Sequence, residues 1–285
     1  MNAHHDTTGH VGHERAGEAD RAMARLLELD AEVLASYLAE LTGLLAQRVA
    51  PGPTRILDLG SGPGAGSLAL ARQFPAAQVT AADISTQLLH RLQKQAAARG
   101  VADRISTVET NLDEPWTKIT ERGPFDLIWA ASFIHHVSDP VRTFTRAFEQ
   151  LRPGGLIAVT EMDFFPRVLP EDTGAGRPGL EARLHQATNT QPPHEWTGPL
   201  ADAGFVVEER RPFEIHLDTT QAGPALNAYA HLFLAKLRSH ATDVLEADDL
   251  AALDALLDET HPQSIMRRGD LSVRTTRTTW LARRP

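Results

Sequence analysis

Between residues 55 and 161 short apolar runs alternate with amphipathic stretches at a regular spacing. "RILDLG", "QVTAAD", "RISTVE", "FDLIWAA" and "PGGLIAVTE" read as strands, with the loop "TNLDEPW" after the third. Helical spacing fills 66–73, 86–99 (ended by Gly100) and 140–151. Such alternation predicts right-handed βαβ units and a parallel sheet covered on both faces. Upstream, Leu26, Leu27, Leu34, Leu38, Leu41 and Leu45 recur at helical period, predicting one or two amphipathic helices with Asp30 as a cap between them. "APGPTR" separates these from the first strand. After Glu161 the rhythm changes. The Pro/Gly-rich "MDFFPRVLPEDTGAGRPG" is too long for a mere connector and reads as a lid or substrate wall. Helices follow at 180–189 and 196–203, and strands at 205–217 and 271–284 enclose a helical stretch over 220–260.

Composition narrows the picture. The 285 residues carry a formal net charge of −9, with arginines interspersed among acids, which disfavours a nucleic-acid partner. The absence of cysteine excludes disulfides, thiolate metal sites and a cysteine nucleophile. With no long apolar run and no leader-like start, the expectation is a cytoplasmic protein with no membrane partner. The polar segment 1–17, with His4, His5, His10 and His13, reads as a disordered tail rather than a metal site. The expected organisation is that tail, a helical cap at 18–50, a cofactor-binding core at 51–163, and at 164–285 the lid loop, helical insertion and final strands of the same domain.

"ILDLGSGPGAG" (56–66) poses the chemical question. In open α/β sheets ligands bind beyond the carboxyl ends of the strands, so this first strand–loop–helix holds a cofactor. "GSGPGA" formally fits a dinucleotide fingerprint, a weak signal alone. Asp58 before the first glycine and Pro63, which removes a donor, both oppose a pyrophosphate. An acid beside close-approach glycines suits a phosphate-free cofactor with an amine-bearing end.

In order and spacing, "ILDLGSGPGAGSLALA", "VTAADIS", "NLDEPW", "FDLIWAASFIHHVSDP" and "LRPGGLIAVTE" resemble the motifs of class I S-adenosylmethionine-dependent methyltransferases. "PRVLPEDTGAGRPGLEAR" and the ending resemble actinobacterial small-molecule methyltransferases, some of which methylate natural products, including indole carbons. The resemblance implies an α/β, Rossmann-like seven-stranded sheet with the last strand antiparallel, S-adenosylmethionine as cofactor and S-adenosylhomocysteine as product. It implies that Gly60, Gly62 and Gly64 lie against the methionine portion with Asp58 near its ammonium. Asp83 would accept the ribose hydroxyls, Ile84 would pack on adenine, and Leu112 would contact the ring through its backbone. Asn111 departs from the family's usual aspartate yet keeps an acceptor oxygen. Ala130 would lie by the sulfonium.

The acceptor is expected to be a small molecule, aromatic or indole-type, methylated on carbon, oxygen or nitrogen. The competing readings are a nicotinamide-dependent oxidoreductase and a non-catalytic S-adenosylmethionine-binding protein. Base candidates are His135, His136, Glu161, Asp163 and Tyr37, and adjacent histidines cannot both face one pocket. Arg167, His194, Trp196 and His231 are candidates for the acceptor wall. No spacing of histidines and carboxylates suggests a metal. Exchangeable N-terminal helices favour a homodimer.

Overall fold

Each apolar run of the first half forms a strand, in a computed structural model that describes residues 8–49, 52–188 and 193–285. Strands β1 (Arg55–Leu59), β2 (Gln78–Asp83), β3 (Ile105–Glu109), β4 (Phe125–Ala131) and β5 (Leu151–Met162) are followed by β6 (Val206–Asp218) and β7 (Ser272–Arg283). They form one seven-stranded sheet in the order β3-β2-β1-β4-β5-β7-β6. All neighbours run parallel except β7, which pairs antiparallel with both β5 and β6.

Crossover helices start where local chemistry satisfies their free N–H groups. The Ser85 hydroxyl accepts from Leu88 N at the start of α4 (Thr86–Ala98), and Asp139 accepts from Arg142 N at α6 (Pro140–Gln150), whose first residue is proline. Helix α3 (Ala65–Gln73) and α4 cover one face of the sheet, while α5 (Thr117–Thr120) and α6 cover the other. Period-two alternation divides each strand between two cores. Leu127 and Trp129 enter one, Ile128 and Ala130 the other. The connections leave β1 and β4 toward opposite faces, which opens a crevice at their carboxyl ends.

The added helices thicken the first core. Helix α1 (Thr8–Val33), α2 (Ala35–Arg48) and α10 (Ala225–Ala241) bury Leu29, Leu34, Leu41, Leu45, Leu226 and Leu234 against it. Residues 1–7 of the expected disordered tail lie outside the described residues. The rest of that segment is helical, because α1 already begins at Thr8. Asp30 is not a cap either: the break falls at Leu34, and Asp30 sits within α1 with its carboxylate on Arg277.

The remaining elements are α7 (Leu180–Thr188), α8 (Thr197–Asp202), α9 (Thr219–Ala222) and α11 (Ala247–Leu257). The segment 163–179 is a pinned wall rather than a free lid. Val168 and Leu169 are fully buried, their N–H groups donate to the Glu181 carboxylate, and Arg167 bridges to Arg274 of β7. Among the described residues no helix is long and apolar enough to cross a membrane.

Candidate active site

The loop after β1 turns through left-handed backbone that only glycine adopts without strain. Gly60 has φ +66° and Gly64 φ +97°. A methyl at Gly60 would stand 2.1 Å from the Phe133 ring, and one at Gly64 2.1 Å from Leu92, so both positions also lack room. Gly60 N and Ser61 N donate to the Ala82 carbonyl, and Asp83 Oδ2 accepts from Gly62 N at 2.8 Å. Asp83 Oδ1 accepts from Ser85 N at 2.8 Å. One carboxylate thereby ties the glycine loop to the end of β2 and keeps further lone pairs free to accept. Beside it, Ile84 is 66% exposed although it is a large aliphatic residue. Asn111 is exposed and accepts from Asp113 N, while the side chain of Leu112 is buried and its carbonyl receives the Trp116 indole N–H.

Asp58 ends β1 in almost full burial, where its Oδ2 accepts from Ser67 Oγ at 2.6 Å. Loss of water pushes its pKa up to about 7, a rise the Ser67 hydrogen bond only partly offsets. It borders a cavity of about 160 Å³ between the glycine loop, α1, α2 and the ends of β4, β5 and β7. Trp129, Ala131 and Ser132 line this cavity from β4. Ala130 does not: alternation turns its side chain into the opposite core, a correction to its expected place at the reacting centre. Ser132 holds φ +51°, unusual for a residue with a Cβ, with its N–H on the Thr160 carbonyl.

Other candidates gather on the far side of the same strand ends. Thr160 lines the cavity, so its neighbour Glu161 points to the other face, where its Oε2 meets His135 Nδ1 at 2.8 Å. Glu161 is buried and its Oε1 has no partner among the described residues. The His135 ring stacks on His194 at 5.1 Å, and His194 on Trp196 at 5.4 Å. His136 is exposed, and partial desolvation of its ring together with the neighbouring His135 lowers its pKa. Asp163 accepts from Thr278 Oγ1 at 3.0 Å.

Two expected acceptor contacts lie elsewhere. Arg167 is exposed beside Phe164, Ala182, His185 and Gln186, a depression separate from the glycine-loop cavity. His231 is committed to the Leu257 carbonyl at 2.9 Å and joins α10 to the end of α11. Tyr37 does reach the cavity. It is buried, its hydroxyl lies by the Thr160 and Thr279 hydroxyls without a well-formed hydrogen bond, and burial pushes its pKa up to about 12.

Sequence reasoning missed Arg277 and its partners. Arg277 of β7 is buried, and its Nη2 donates to both carboxylate oxygens of Asp30 at 2.7 and 2.8 Å. Tyr229 of α10 donates to the same carboxylate at 3.2 Å, and the guanidinium lies 5.6 Å over the Tyr37 ring. The only available signal was a lone cation in the run "RTTRTTW", indistinguishable from a solvent-facing strand residue.

Residues 56–155 match the family described as a methyltransferase domain. A ubiquinone biosynthesis O-methyltransferase of Xylella fastidiosa is 30% identical over 181 residues, covering 58% of this chain and 66% of that protein. An uncharacterized protein of Synechococcus is 36% identical over 108 residues, 38% of this chain and 25% of the relative. The chain thus spans less than two thirds of the length of these curated relatives. Among solved structures, a coclaurine N-methyltransferase bound to N-methylheliamine and S-adenosylhomocysteine superposes with a TM-score of 0.51 at 14% identity. That match covers 86% of this chain and 72% of the other, and shows the shared fold. Glycine loop, strand order and matched domain agree: residues 56–155 carry a methyltransferase domain, and the seven-stranded sheet has the Rossmann-like class I methyltransferase fold.

Proposed function

We propose that this protein transfers a methyl group from S-adenosylmethionine to a small-molecule acceptor of aromatic or indole type, on carbon, oxygen or nitrogen. The observation that carries the reading is the Asp83 clamp. It fixes the glycine loop through Gly62 N and sets its remaining lone pairs beside the exposed face of Ile84. A nucleoside with free ribose hydroxyls fits that arrangement: Asp83 accepts the hydroxyls, Ile84 packs on the base, and the Asn111 oxygen has a second lone pair for an exocyclic amine. Asp58 and the loop backbone suit an amine-bearing end. When bound, the cofactor supplies an electrophilic methyl group on a sulfonium that is already a good leaving group. The protein's part is alignment and exclusion of water.

An acceptor that must lose a proton needs a base, and the His135–Glu161 pair supplies one. A buried carboxylate only accepts, so it selects the tautomer with hydrogen on Nδ1 and leaves the Nε2 lone pair of His135 free. The adjoining His194 and Trp196 rings favour a flat partner. Tyr37 is ill-suited as a base, because burial keeps its hydroxyl protonated.

Incubation with methyl-labelled cofactor and a panel of indole, phenol and amine acceptors tests the reading. The expected result is label on one acceptor class with release of S-adenosylhomocysteine. His135→Asn then lowers kcat by about 10²–10⁴-fold, with cofactor affinity unchanged. Failure to label any class contradicts the function, and an unchanged kcat in His135→Asn contradicts the base.

A further inference from the structure

An exposed aromatic ring and an arginine share one depression of the surface. Phe164 is 39% exposed, and with Arg167, Ala182, His185 and Gln186 it lines a space of about 380 Å³, apart from the glycine-loop cavity. One exposed ring is ordinary by itself. This one borders a guanidinium that has neither an ion-pair nor a hydrogen-bond partner among the described residues, whereas Arg177 and Arg183 are both committed to Asp249.

The backbone that carries Arg167 is nevertheless fixed. Arg167 N donates to the Arg274 carbonyl and the Arg167 carbonyl accepts from Arg274 N, each at 2.9 Å. The next two N–H groups donate to the buried Glu181 carboxylate. A free side chain on a pinned backbone lets a ligand bind without ordering the chain first.

Charge and shape restrict that ligand. Glu181 lies close enough to feel Arg167, yet both of its oxygens already accept from Val168 and Leu169. His185 stays neutral at physiological pH, because burial first and Arg167 second lower its pKa to about 4. Arg167 is therefore the one charge among the lining residues, and it suits a monoanion. A dianionic phosphate would be left half compensated on a chain whose net charge is −9. The planar fork of a guanidinium matches a carboxylate, the exposed Gln186 amide adds donors, and Phe164 offers its ring to a flat body. The space is the share of about a dozen liquid waters, room for an acid of one or two rings.

We propose that Arg167, Gln186 and Phe164 form a binding site for an aromatic carboxylate. The acid is either the acceptor, since Phe164 stands three residues after Glu161 and their backbones lie within about 11 Å, or a separate ligand. Only the choice between these sources rests on the methyltransferase reading.

Ligand-observed NMR titration tests the site. The probes are indole-3-acetate, its neutral amide indole-3-acetamide, and inorganic phosphate. Each is added to wild type, Arg167→Gln and Phe164→Ala, with thermal melts confirming that the variants are folded. The site predicts that the acid binds about tenfold or more tighter than the amide or phosphate. Its affinity falls about tenfold or more in Arg167→Gln and about twofold to tenfold in Phe164→Ala, with S-adenosylhomocysteine binding unchanged in both. Equal affinity for acid and amide, tighter binding of phosphate, an unchanged Arg167→Gln, or a wild type that does not bind the acid overturns the proposal. Methyl-labelled cofactor then identifies the source. Label on the acid, with KM raised and kcat kept in Arg167→Gln, makes it the acceptor, and binding without label makes it a separate ligand. A wild type that binds the acid but not S-adenosylhomocysteine leaves the site standing and removes the cofactor reading instead.

Discussion

Asp58 shows how one residue ties burial to ligand chemistry. Its carboxyl is raised from an ordinary 3.8 to about 7 because almost no water reaches it, and Ser67 supplies only one hydrogen bond in return. An ammonium arriving beside it favours the ionised form and lowers the pKa in the complex. Binding therefore expels a proton wherever the free carboxyl is protonated and the bound one is not, a window between roughly pH 4 and 7. Affinity for S-adenosylhomocysteine is expected to climb with pH across that window and to level off above it. Titrations in buffers of different ionisation enthalpy measure the released proton directly. Asp58→Asn should abolish both the release and the pH dependence, and a release that persists in that variant would contradict the account. At this scale residue type singled out Asp58, Asp83, His135 and Glu161, and all four sit at the carboxyl ends of strands or in the loop that follows one. The sequence was silent on Arg277, whose partner Asp30 lies 247 positions away and whose burial only the packed fold creates.

At the level of elements, periodicity predicted well where one face is buried and poorly where both are. Strand β4 is apolar throughout, so nothing in "FDLIWAA" told which alternate set faces the cleft. Ala130 was expected there, and Trp129 and Ala131 occupy it. The polar start of the chain carried no apolar stripe to announce that α1 reaches back to Thr8. The Pro/Gly-rich segment after β5 left lid and wall undecided because its anchors are distant: Glu181 takes two of its N–H groups, and Arg274 donates to the Leu169 carbonyl at 2.7 Å. A similar long-range tie joins α7 to α11. Asp249 is 2% exposed and receives Arg183 Nε at 2.7 Å and Nη2 at 2.8 Å, with Arg177 at 3.0 Å. The Arg183 and Arg177 hydrogen bonds hold its carboxyl well below the usual range. Asp249→Asn is expected to cost about 1–2 kcal/mol in urea unfolding at neutral pH, the lower values reflecting the half-exposed Arg177. A depressed folded pKa stabilises above the unfolded value and ceases to as pH falls. The gap between wild type and variant should therefore narrow below about pH 4. An unchanged gap at low pH would mean that the ion pair is not what joins these helices.

Across the whole molecule, the reversal of strand order between β1 and β4 is the feature from which function follows. It opens the crevice, and the loops at the carboxyl ends of β1, β2 and β3 present Asp58, Asp83, Ile84 and Asn111 along it. The added α1, α2 and α10 and the antiparallel β7 close one side with Tyr37, Asp30, Tyr229 and Arg277. The glycine loop and the acids at the strand ends are written in local motifs and were readable, whereas the Arg277–Asp30–Tyr229 wall is assembled from segments that meet only in the fold. The central claim, a cofactor cradle organised by Asp83, is tested most directly by titrating S-adenosylhomocysteine into wild type and Asp83→Asn, with NADH as the competing ligand. Asparagine keeps only one acceptor oxygen, so the bond from Gly62 N or from Ser85 N is lost together with the charge, and a thermal melt confirms that the variant is folded. The account predicts one S-adenosylhomocysteine per chain, affinity about tenfold or more weaker in the variant, and no binding of NADH. Binding of NADH without S-adenosylhomocysteine, or equal affinity in both proteins, would contradict it.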